Sequence, residues 1–460
     1  METYVLPHLI TPSGYTRNVV IRVDAHGTIV AREDNVATED LPGSVNRVDD
    51  HLVALPGLVN AHSHAFQRLL RGPTQYRGPA QDSFWTWRKV MYQSLSKLTP
   101  EEMYTIARHL YLEMAASGVT HVGEFHYVHH QSNGAAHDDR LAMSKALMQA
   151  ASDVGLRMTL LRTVYLRGDF DADPTPQQRR FIDPPLKLVE EDLEALLRYE
   201  REGCTVGIAP HSVRAVAPED LRRLKKKFPT QPFHIHASEQ VLENDGCHKH
   251  YGMTPIELLE SVGCLTPSTV LVHATHVTDT DIQRVAEHGT QVCFCPSTEA
   301  DLGDGLGPAS AYLDHQISLS LGTDGQTMSS ILEEARRLEM HERLRLQIRN
   351  ALSKTEGESA GDICLRIATE GGSKALGSKD APLTVGRPLD FFTIDRHDPF
   401  IAGTVPSDLL NAILFSIPSS HIHSTFVGGQ QIASQADTTT LRESGMTLTK
   451  LARTLSEPHP

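Results

Sequence analysis

Short apolar runs alternate with longer amphipathic stretches from residue 55 to about residue 377. The short runs have the length of buried strands and lie near 55–62, 119–127, 156–165, 205–211, 232–237, 269–275, 291–296 and 317–323. Helices are predicted between them, because apolar residues recur at helical spacing in 100–117, 144–154, 218–227 and 254–262. These eight strand and helix units predict an α/β fold, a closed (β/α)8 barrel of the TIM type.

Both ends of the chain have a different pattern. Residues 1–54 alternate apolar and polar positions, as in NVVIRVDAHGTIVARED, and predict short antiparallel strands. The alternation returns after ATEGGSKALG, in TVGRPLDFFTID and HSTFVGGQQIA. We therefore expect a small β-sandwich domain built from residues 1–54 and 380–437, a barrel over residues 55–379, and a C-terminal helix and tail over residues 438–460.

The loops that follow the predicted strands differ in length. The long ones follow the first strand (65–99), the third (167–186) and the eighth (from 325). In a barrel these loops build the active site, so we expect the first of them to select the substrate.

Composition narrows the class of partner. Hydrophobic residues make up 40% of the 460 positions and charged residues 22%, which is typical of a globular protein. The net charge of −14 argues against nucleic acid or an anionic membrane as a partner. Six scattered cysteines indicate a reducing compartment, and no apolar run approaches the roughly 20 residues of a membrane span, so we expect a cytoplasmic protein.

His62 and His64 lie at the end of the first predicted strand, in LPGLVNAHSHAFQR. Alternate residues of a strand share a face, so both imidazoles point to one side, as metal ligands from one strand do. Two surface histidines in a turn would give the same pattern, and the pair alone does not decide between these interpretations.

Later strand ends carry further residues that can bind a metal or move a proton. His211, His236, His273 and Asp324 end the fourth, fifth, sixth and eighth predicted strands. In a closed barrel these ends converge on one mouth, so we expect a site there. Histidines in polar stretches are expected to face solvent: His129, His130, His248, His250, His421 and His423.

The segments PGLVNAHSH, ATEGGSKALG and GRPLDFFTID, together with the strand-end residues, resemble the amidohydrolase superfamily of metal-dependent hydrolases over almost the whole chain. The resemblance implies that His62, His64, His236 and Asp324 bind a metal ion. TVGIAPHS lacks the lysine or glutamate that bridges two metals, which indicates one ion, Zn²⁺ or alternatively Fe²⁺. Within HIHASE, His234 shares a face with His236, and His236 is preferred because it lies nearer the strand end.

The resemblance also implies catalytic roles. Glu239 would take a proton from bound water and give it to a leaving nitrogen, although a carboxylate there also suits a helix N-terminus. His273 would stabilise the tetrahedral centre, and Asp324 would act as ligand and initial base. This chemistry is hydrolytic attack at an sp² carbon that bears nitrogen, which fits both a deaminase and an amidase. A barrel without activity is disfavoured, because the ligand set is complete.

Two arginines are candidates for substrate recognition. Arg214 lies three residues after His211, and Arg88 lies in the first long loop, within SFWTWRK. Each guanidinium can bind a carboxylate through two parallel hydrogen bonds, which together indicate a small-molecule dicarboxylate substrate. Arg88 can equally be a surface cation that packs on Trp85 or Trp87.

AHSHAFQRLLRG, GEFHYVHH, HSVRAV and HIHASEQ are similar to one group of deiminases in this family. This implies a step of histidine degradation, in which a metal-bound hydroxide attacks the formimino carbon of N-formimino-L-glutamate and gives N-formyl-L-glutamate and ammonia. The resemblance assigns Gln67, His211 and Glu239 to the formimino group and Arg88, Tyr127 and Arg214 to the carboxylates. It also implies a homodimer. A deaminase of an aromatic base or nucleoside analogue stays open, because Trp85, Trp87 and Tyr127 suit stacking.

Overall fold

The computed structural model describes residues 1–456 apart from 38–44, 78–81, 95–97, 184, 202, 379 and 437. The strands of these residues are, in chain order, β1 (Glu2–Thr11), β2 (Gly14–Val23), β3 (Ile29–Glu33), β4 (Asn46–Arg47), β5 (Leu52–Pro56), β6 (Leu58–Ser63), β7 (Val119–His126), β8 (Arg157–Val164), β9 (Cys204–Pro210), β10 (Phe233–Ala237), β11 (Thr269–His273), β12 (Gln291–Phe294), β13 (Leu319–Leu321), β14 (Phe391–Asp395), β15 (Ile422–Val427) and β16 (Gln430–Ser434). The α-helices are α1 (Phe84–Ser94), α2 (Pro100–Ala116), α3 (Ala142–Val154), α4 (Leu186–Leu197), α5 (Pro218–Lys227), α6 (Val241–Tyr251), α7 (Pro255–Ser261), α8 (Asp279–Glu287), α9 (Pro296–Leu302), α10 (Ala309–Asp314), α11 (Ile331–Leu346), α12 (Ala360–Arg366), α13 (Gly372–Ala375), α14 (Leu409–Ser416) and α15 (Thr439–Ser456).

Strands β6 to β13 form a barrel. Each strand pairs in parallel with the next one along the chain. The first and last strands meet at their carboxyl ends, where Asp324 N donates to His62 O at 3.1 Å and His64 N donates to Asp324 O at 3.3 Å. An open sheet lacks this contact, so the predicted (β/α)8 barrel is confirmed.

The first predicted strand, 55–62, is divided at Gly57. Residues up to Pro56 pair with β14 in a second sheet, whereas β6 pairs with β7 of the barrel. A Cβ atom on residue 57 would lie 2.3 Å from Thr120 Oγ1. Glycine therefore allows the chain to pass close to β7 between the two sheets. One apolar run in the sequence thus contributes to both.

The second sheet combines strands from both chain ends. Its order is β16, β15, β14, β5, β1, β2 and β3, with β4 alongside β1. β14 runs antiparallel to β5, whereas β1 runs parallel to it, so the sheet is mixed. Its core includes Leu6, Ile21 and Phe391, all fully buried. The predicted small β domain built from both chain ends is confirmed.

Local signals begin and orient the helices around the barrel. Thr99 accepts a hydrogen bond from Glu102 N at 3.2 Å, and the Glu102 carboxylate accepts one from Thr99 N at 2.8 Å, a capping box that begins α2. In α5, Leu221 and Leu224 are buried, whereas most of the charged residues are not. The four helices predicted above are confirmed as α2, α3, α5 and α7. Among the described helices, none combines the length and hydropathy required to cross a bilayer.

Candidate active site

Four side chains converge at the carboxyl ends of the barrel strands. His62 and His64 come from the end of β6, His236 from β10 and Asp324 from the segment after β13. His62 Nε2 lies 3.2 Å from both His64 Nε2 and His236 Nε2. Asp324 Oδ1 lies 3.2 Å from His64 Nε2 and 3.6 Å from His62 Nε2. All four side chains are buried, and one donor atom of each lies within 4.8 Å of the others.

The hydrogen bonds of these histidines show that the group suits a divalent metal ion. His64 Nδ1 donates to Phe125 O at 2.7 Å, and His236 Nδ1 donates to His211 O at 2.9 Å. In a neutral imidazole the other nitrogen then carries a lone pair, so the Nε2 atoms direct lone pairs at one point. Burial lowers the pKa of His62 to about 3 and that of His236 well below its usual value, which favours the neutral, metal-binding form.

Asp324 supplies the negative charge of this group. Burial alone would raise its pKa, but the close approach of the His62 and His64 side chains holds the pKa of the carboxyl well below its usual range. The residue has φ 42°, in the left-handed region. Gln326 Nε2 donates to Asp324 O at 2.8 Å and helps to hold this conformation. The carboxylate is thus ionised and oriented toward the histidines.

Glu124 binds the two residues that flank His64 in the chain and so holds this segment in place. This β7 residue is 1% exposed and accepts hydrogen bonds from Ser63 Oγ at 2.8 Å and Ala65 N at 2.6 Å. Burial raises the pKa of its carboxyl to about 7. Glu124 was not among the predicted site residues, although a carboxylate inside the apolar strand GVTHVGEFH was a signal for a buried role.

Glu239 and His273 lie beside the four ligands. His273 Nε2 is 3.7 Å from Glu239 Oε1 and 3.5 Å from Asp324 Oδ2. Its Nδ1 donates to Glu299 Oε1 at 3.2 Å. Burial raises the pKa of Glu239 to about 7, so this carboxyl can both hold and release a proton near neutrality. Glu299 was not among the predicted site residues, because in the motif PSTE it resembles a helix N-terminal charge.

A second group of possible ligand atoms, from His273, Cys295 and Asp324, overlaps the first through Asp324. It is therefore part of the same centre and not a separate site.

Three of the four ligands border a cavity with about 550 Å³ of space, part of it open to solvent. Gln67 Nε2 donates to Tyr127 OH at 3.2 Å, and Gln67 Oε1 is buried with no hydrogen-bond partner among the described residues. Most of the wall is aromatic or polar; the residues are His64, Gln67, Phe84, Trp87, Arg88, Met91, Tyr92, Tyr127, Tyr165, Phe181, His211, Arg214, His236, Glu239, Thr298, Leu302 and Asp324. Of the predicted site residues, the cavity contacts all but His62 and His273, which lie directly behind it.

The two predicted carboxylate-binding arginines both face this cavity. Arg214 is 4% exposed, and its Nε donates to Glu243 Oε1 at 3.4 Å. The Arg88 guanidinium lies 4.6 Å from the ring centre of Trp85 and 5.8 Å from that of Tyr92. The two interpretations of Arg88 are therefore compatible, because the side chain packs on Trp85 and also borders the cavity.

The prediction that His129 and His130 face solvent is wrong. They are 3% and 8% exposed, because the loop after β7 folds inward and His129 Nε2 donates to Thr163 O at 3.0 Å. His234 is also buried, but its Nε2 donates to Ala375 O at 2.9 Å and is directed away from the ligand group. The other histidines expected at the surface are exposed or half-buried: His248, His250, His421 and His423.

Comparison with known proteins agrees with this geometry. Residues 53–432 match the model of the amidohydrolase family. The chain is 37% identical over 441 residues to formimidoylglutamate deiminase of Pseudomonas aeruginosa, with 94% of each chain covered. A crystal structure of an amidohydrolase from Brucella melitensis superposes with a TM-score of 0.90 at 32% identity, covering 99% of this chain and 100% of that one. An adenosine deaminase from Xanthomonas campestris with bound zinc shares the fold, with a TM-score of 0.79 at 20% identity and 98% of each chain covered.

Proposed function

The chain belongs to the amidohydrolase family and is a hydrolase that acts on C–N bonds, and from this premise we propose that it deaminates N-formimino-L-glutamate. The products are N-formyl-L-glutamate and ammonia. The proposal rests on one observation. Arg88 and Arg214 both border the cavity that adjoins the metal-competent group, which consists of His62, His64, His236 and Asp324. The 37% identity to the Pseudomonas enzyme supports the same substrate.

A single Zn²⁺ ion is the proposed cofactor. Three imidazole nitrogens and one carboxylate are a donor set that zinc prefers, and the residues that would hold it are His62, His64, His236 and Asp324. When bound, zinc supplies Lewis acidity that activates a water molecule for attack. Residues of the chain bind the substrate and transfer the protons.

The cavity residues orient the two ends of the substrate. The guanidinium groups of Arg88 and Arg214 bind its carboxylates, and the Tyr127 hydroxyl, which lies 3.2 Å from Gln67 Nε2, contributes to carboxylate binding from between the two ends. At the other end, the free Oε1 of Gln67 accepts a hydrogen bond from a formimino N–H. His211 borders this end as well. The planar, cationic amidinium of the substrate therefore contacts hydrogen-bond acceptors at one end of the cavity. The two carboxylates of the substrate contact arginines at the other end.

Glu239 manages the protons of the reaction. It takes a proton from the attacking water, and the amidinium charge pairs with the carboxylate. As the new C–O bond forms, the C=N π electrons move to nitrogen and the formimino carbon becomes tetrahedral with a hydroxyl group, and His273, held by Glu299, donates a hydrogen bond to that oxygen. Glu239 then delivers the proton to the terminal nitrogen, the C–N bond breaks and ammonia leaves, and Glu239 takes up the hydroxyl proton as the formyl C=O forms.

A panel of substrates tests this proposal. We expect the zinc-loaded protein to release ammonia from N-formimino-L-glutamate and to leave adenosine and 8-oxoguanine unchanged. Turnover of either base without turnover of the formimino compound would overturn the proposal in favour of the base deaminase. The homodimer and the cytoplasmic location stay predictions.

A further inference from the structure

Glu243 is a buried acid next to the active site that the mechanism above does not use. It lies in the first turn of α6, four residues after Glu239, and its side chain is fully buried. A carboxylate in the first turn of a helix is common at the surface, where water solvates it. Complete burial of a charged group is costly unless specific partners compensate for it, so the partners of Glu243 indicate its role.

The two carboxylate oxygens of Glu243 bind two elements of the site. Oε1 accepts a hydrogen bond from Arg214 Nε at 3.4 Å, and Oε2 accepts one from the backbone N–H of Glu239 at 3.2 Å. The residue before Glu239, Ser238, has φ 53°, so the backbone turns sharply where Glu239 leaves β10. One side chain thus connects the proposed carboxylate-binding arginine to the proposed acid/base residue.

The contact at Nε leaves the rest of the Arg214 guanidinium free for the cavity. Among the described residues, its two terminal nitrogens have no hydrogen-bond acceptor, whereas the side chain as a whole is 5% exposed. The fork formed by these nitrogens is the edge that binds a carboxylate through two parallel hydrogen bonds. The Trp85 ring lies 5.8 Å from the guanidinium carbon and restricts it further.

We propose that Glu243 is a positioning residue for dicarboxylate recognition: it directs the terminal nitrogens of Arg214 into the cavity and fixes the backbone that carries Glu239. This inference rests on the proposed function, because it takes the Arg214 fork as a carboxylate site.

A different role for Glu243 would have the opposite effect on binding. If it served only as a counter-charge for Arg214, its carboxylate would compete with that of the ligand, and neutralising it would strengthen dicarboxylate binding. If it positions the guanidinium, a variant that keeps the charge but shortens the reach should weaken binding. E243D and E243Q separate the two roles. The aspartate retains the charge on a side chain one methylene shorter, and the single amide oxygen of glutamine can satisfy only one of the two donors.

Glu339 provides a matched control. It is also a fully buried glutamate, and it accepts hydrogen bonds from Arg343 Nε at 2.6 Å, Ala351 N at 3.0 Å and Leu352 N at 2.9 Å. It does not line the active-site cavity. E339Q therefore introduces a comparable internal change without contact with Arg214.

Binding of glutarate, an unreactive dicarboxylate, measures the effect without catalysis. The chain has two tryptophans, Trp85 and Trp87, both in α1 beside the cavity, so intrinsic fluorescence reports on this site. Zinc-loaded wild type, E243D, E243Q and E339Q are titrated with glutarate and with butyrate, which has one carboxylate. Circular dichroism verifies that each variant is folded.

We expect E243D and E243Q to bind glutarate about tenfold more weakly than wild type, with a smaller preference over butyrate, while E339Q behaves as wild type. With substrate, we expect KM to rise and kcat to fall in both variants, and in an R214M background only the effect on kcat should remain. Unchanged or tighter glutarate binding by E243D and E243Q would overturn the inference. A wild type that binds no glutarate and turns over no N-formimino-L-glutamate would overturn the proposed function, and the inference with it.

Discussion

Replacement of Arg214 by methionine tests the recognition of the substrate most sharply. The change removes the cationic head and keeps an unbranched apolar stem in a position that is 4% exposed. Since Arg214 is buried, the methionine variant offers no exposed cation in its place. The variant also leaves the buried carboxylate of Glu243 without its arginine, so we expect some loss of stability, which thermal unfolding measures separately.

The expected loss of kcat/KM follows from the burial of the ion pair that Arg214 forms with a substrate carboxylate. Truncation of one partner of a buried, hydrogen-bonded charge pair costs about 2–5 kcal/mol. Since about 1.4 kcal/mol corresponds to a tenfold change in rate, kcat/KM for N-formimino-L-glutamate should fall by about 30-fold to about 4,000-fold. Most of the loss should appear in KM, because the arginine contacts a part of the substrate that does not react.

Truncated substrates identify the source of that loss. N-formimino-4-aminobutyrate lacks the α-carboxylate, and N-formimino-L-norvaline lacks the γ-carboxylate. For the analogue that lacks the carboxylate bound by Arg214, wild type and R214M should have similar kcat/KM values in a coupled ammonia assay. R223M is the control, because Arg223 is a half-exposed arginine that pairs with Glu190 far from the cavity. If R214M retains kcat/KM for N-formimino-L-glutamate within threefold of wild type, the assignment of Arg214 is refuted.

Further predictions concern chemistry, metal and stability. E239Q should lower kcat by about 10² to 10⁴ with unchanged zinc content, measured by steady-state kinetics and elemental analysis; wild-type kcat would exclude Glu239 as the proton carrier. Removal of the metal by a chelator should abolish ammonia release and lower the melting temperature, and Zn²⁺ should restore both; full activity in metal-free protein would contradict the ligand assignment. Burial lowers the pKa of His126 to about 3 and that of His129 well below its usual value, so both are neutral in the folded protein near pH 7. Their unfolded pKa is about 6.5, so their contribution to stability is complete above that pH and falls on acidification by up to about 1.4 kcal/mol per pH unit for each histidine. Urea unfolding at pH 7.5, 6.5 and 5.5 measures this, and a flat profile that H126N does not alter would contradict it. A Cβ on residue 371 would lie 1.8 Å from Leu319 O, so G371A should lower the melting temperature by several degrees in a thermal scan; an unchanged value would show that β13 can shift freely.

The barrel and the metal-competent group could be predicted because they depend on residue patterns within single strands and on the closure of the barrel. Alternation along a strand fixes His62 and His64 on one face, and closure of a parallel barrel brings strand ends together whatever their separation in sequence. The positions of His236 and Asp324 follow from these two rules. The division of the first strand at Gly57 did not follow, since it depends on contact with Thr120, 63 residues later in the chain.

The supporting carboxylates could not be predicted, because their roles depend on distant partners. Glu124 binds the backbone of residue 65, Glu299 binds His273, and Glu243 binds Arg214. In sequence Glu299 and Glu243 resemble helix N-terminal charges, and although the apolar strand around Glu124 indicated burial, only the fold shows which groups each carboxylate binds. His129 is a similar case, since its polar neighbours indicated solvent and its loop instead packs inward.

The central claim is that this chain adds water to the formimino carbon and expels ammonia. Reaction of N-formimino-L-glutamate in H2¹⁸O by zinc-loaded protein, with mass analysis of the organic product at early times, tests it directly. The account predicts N-formyl-L-glutamate with one ¹⁸O atom in the formyl group and one equivalent of ammonia. Formation of glutamate and formamide would contradict it, because the other C–N bond would then have been broken.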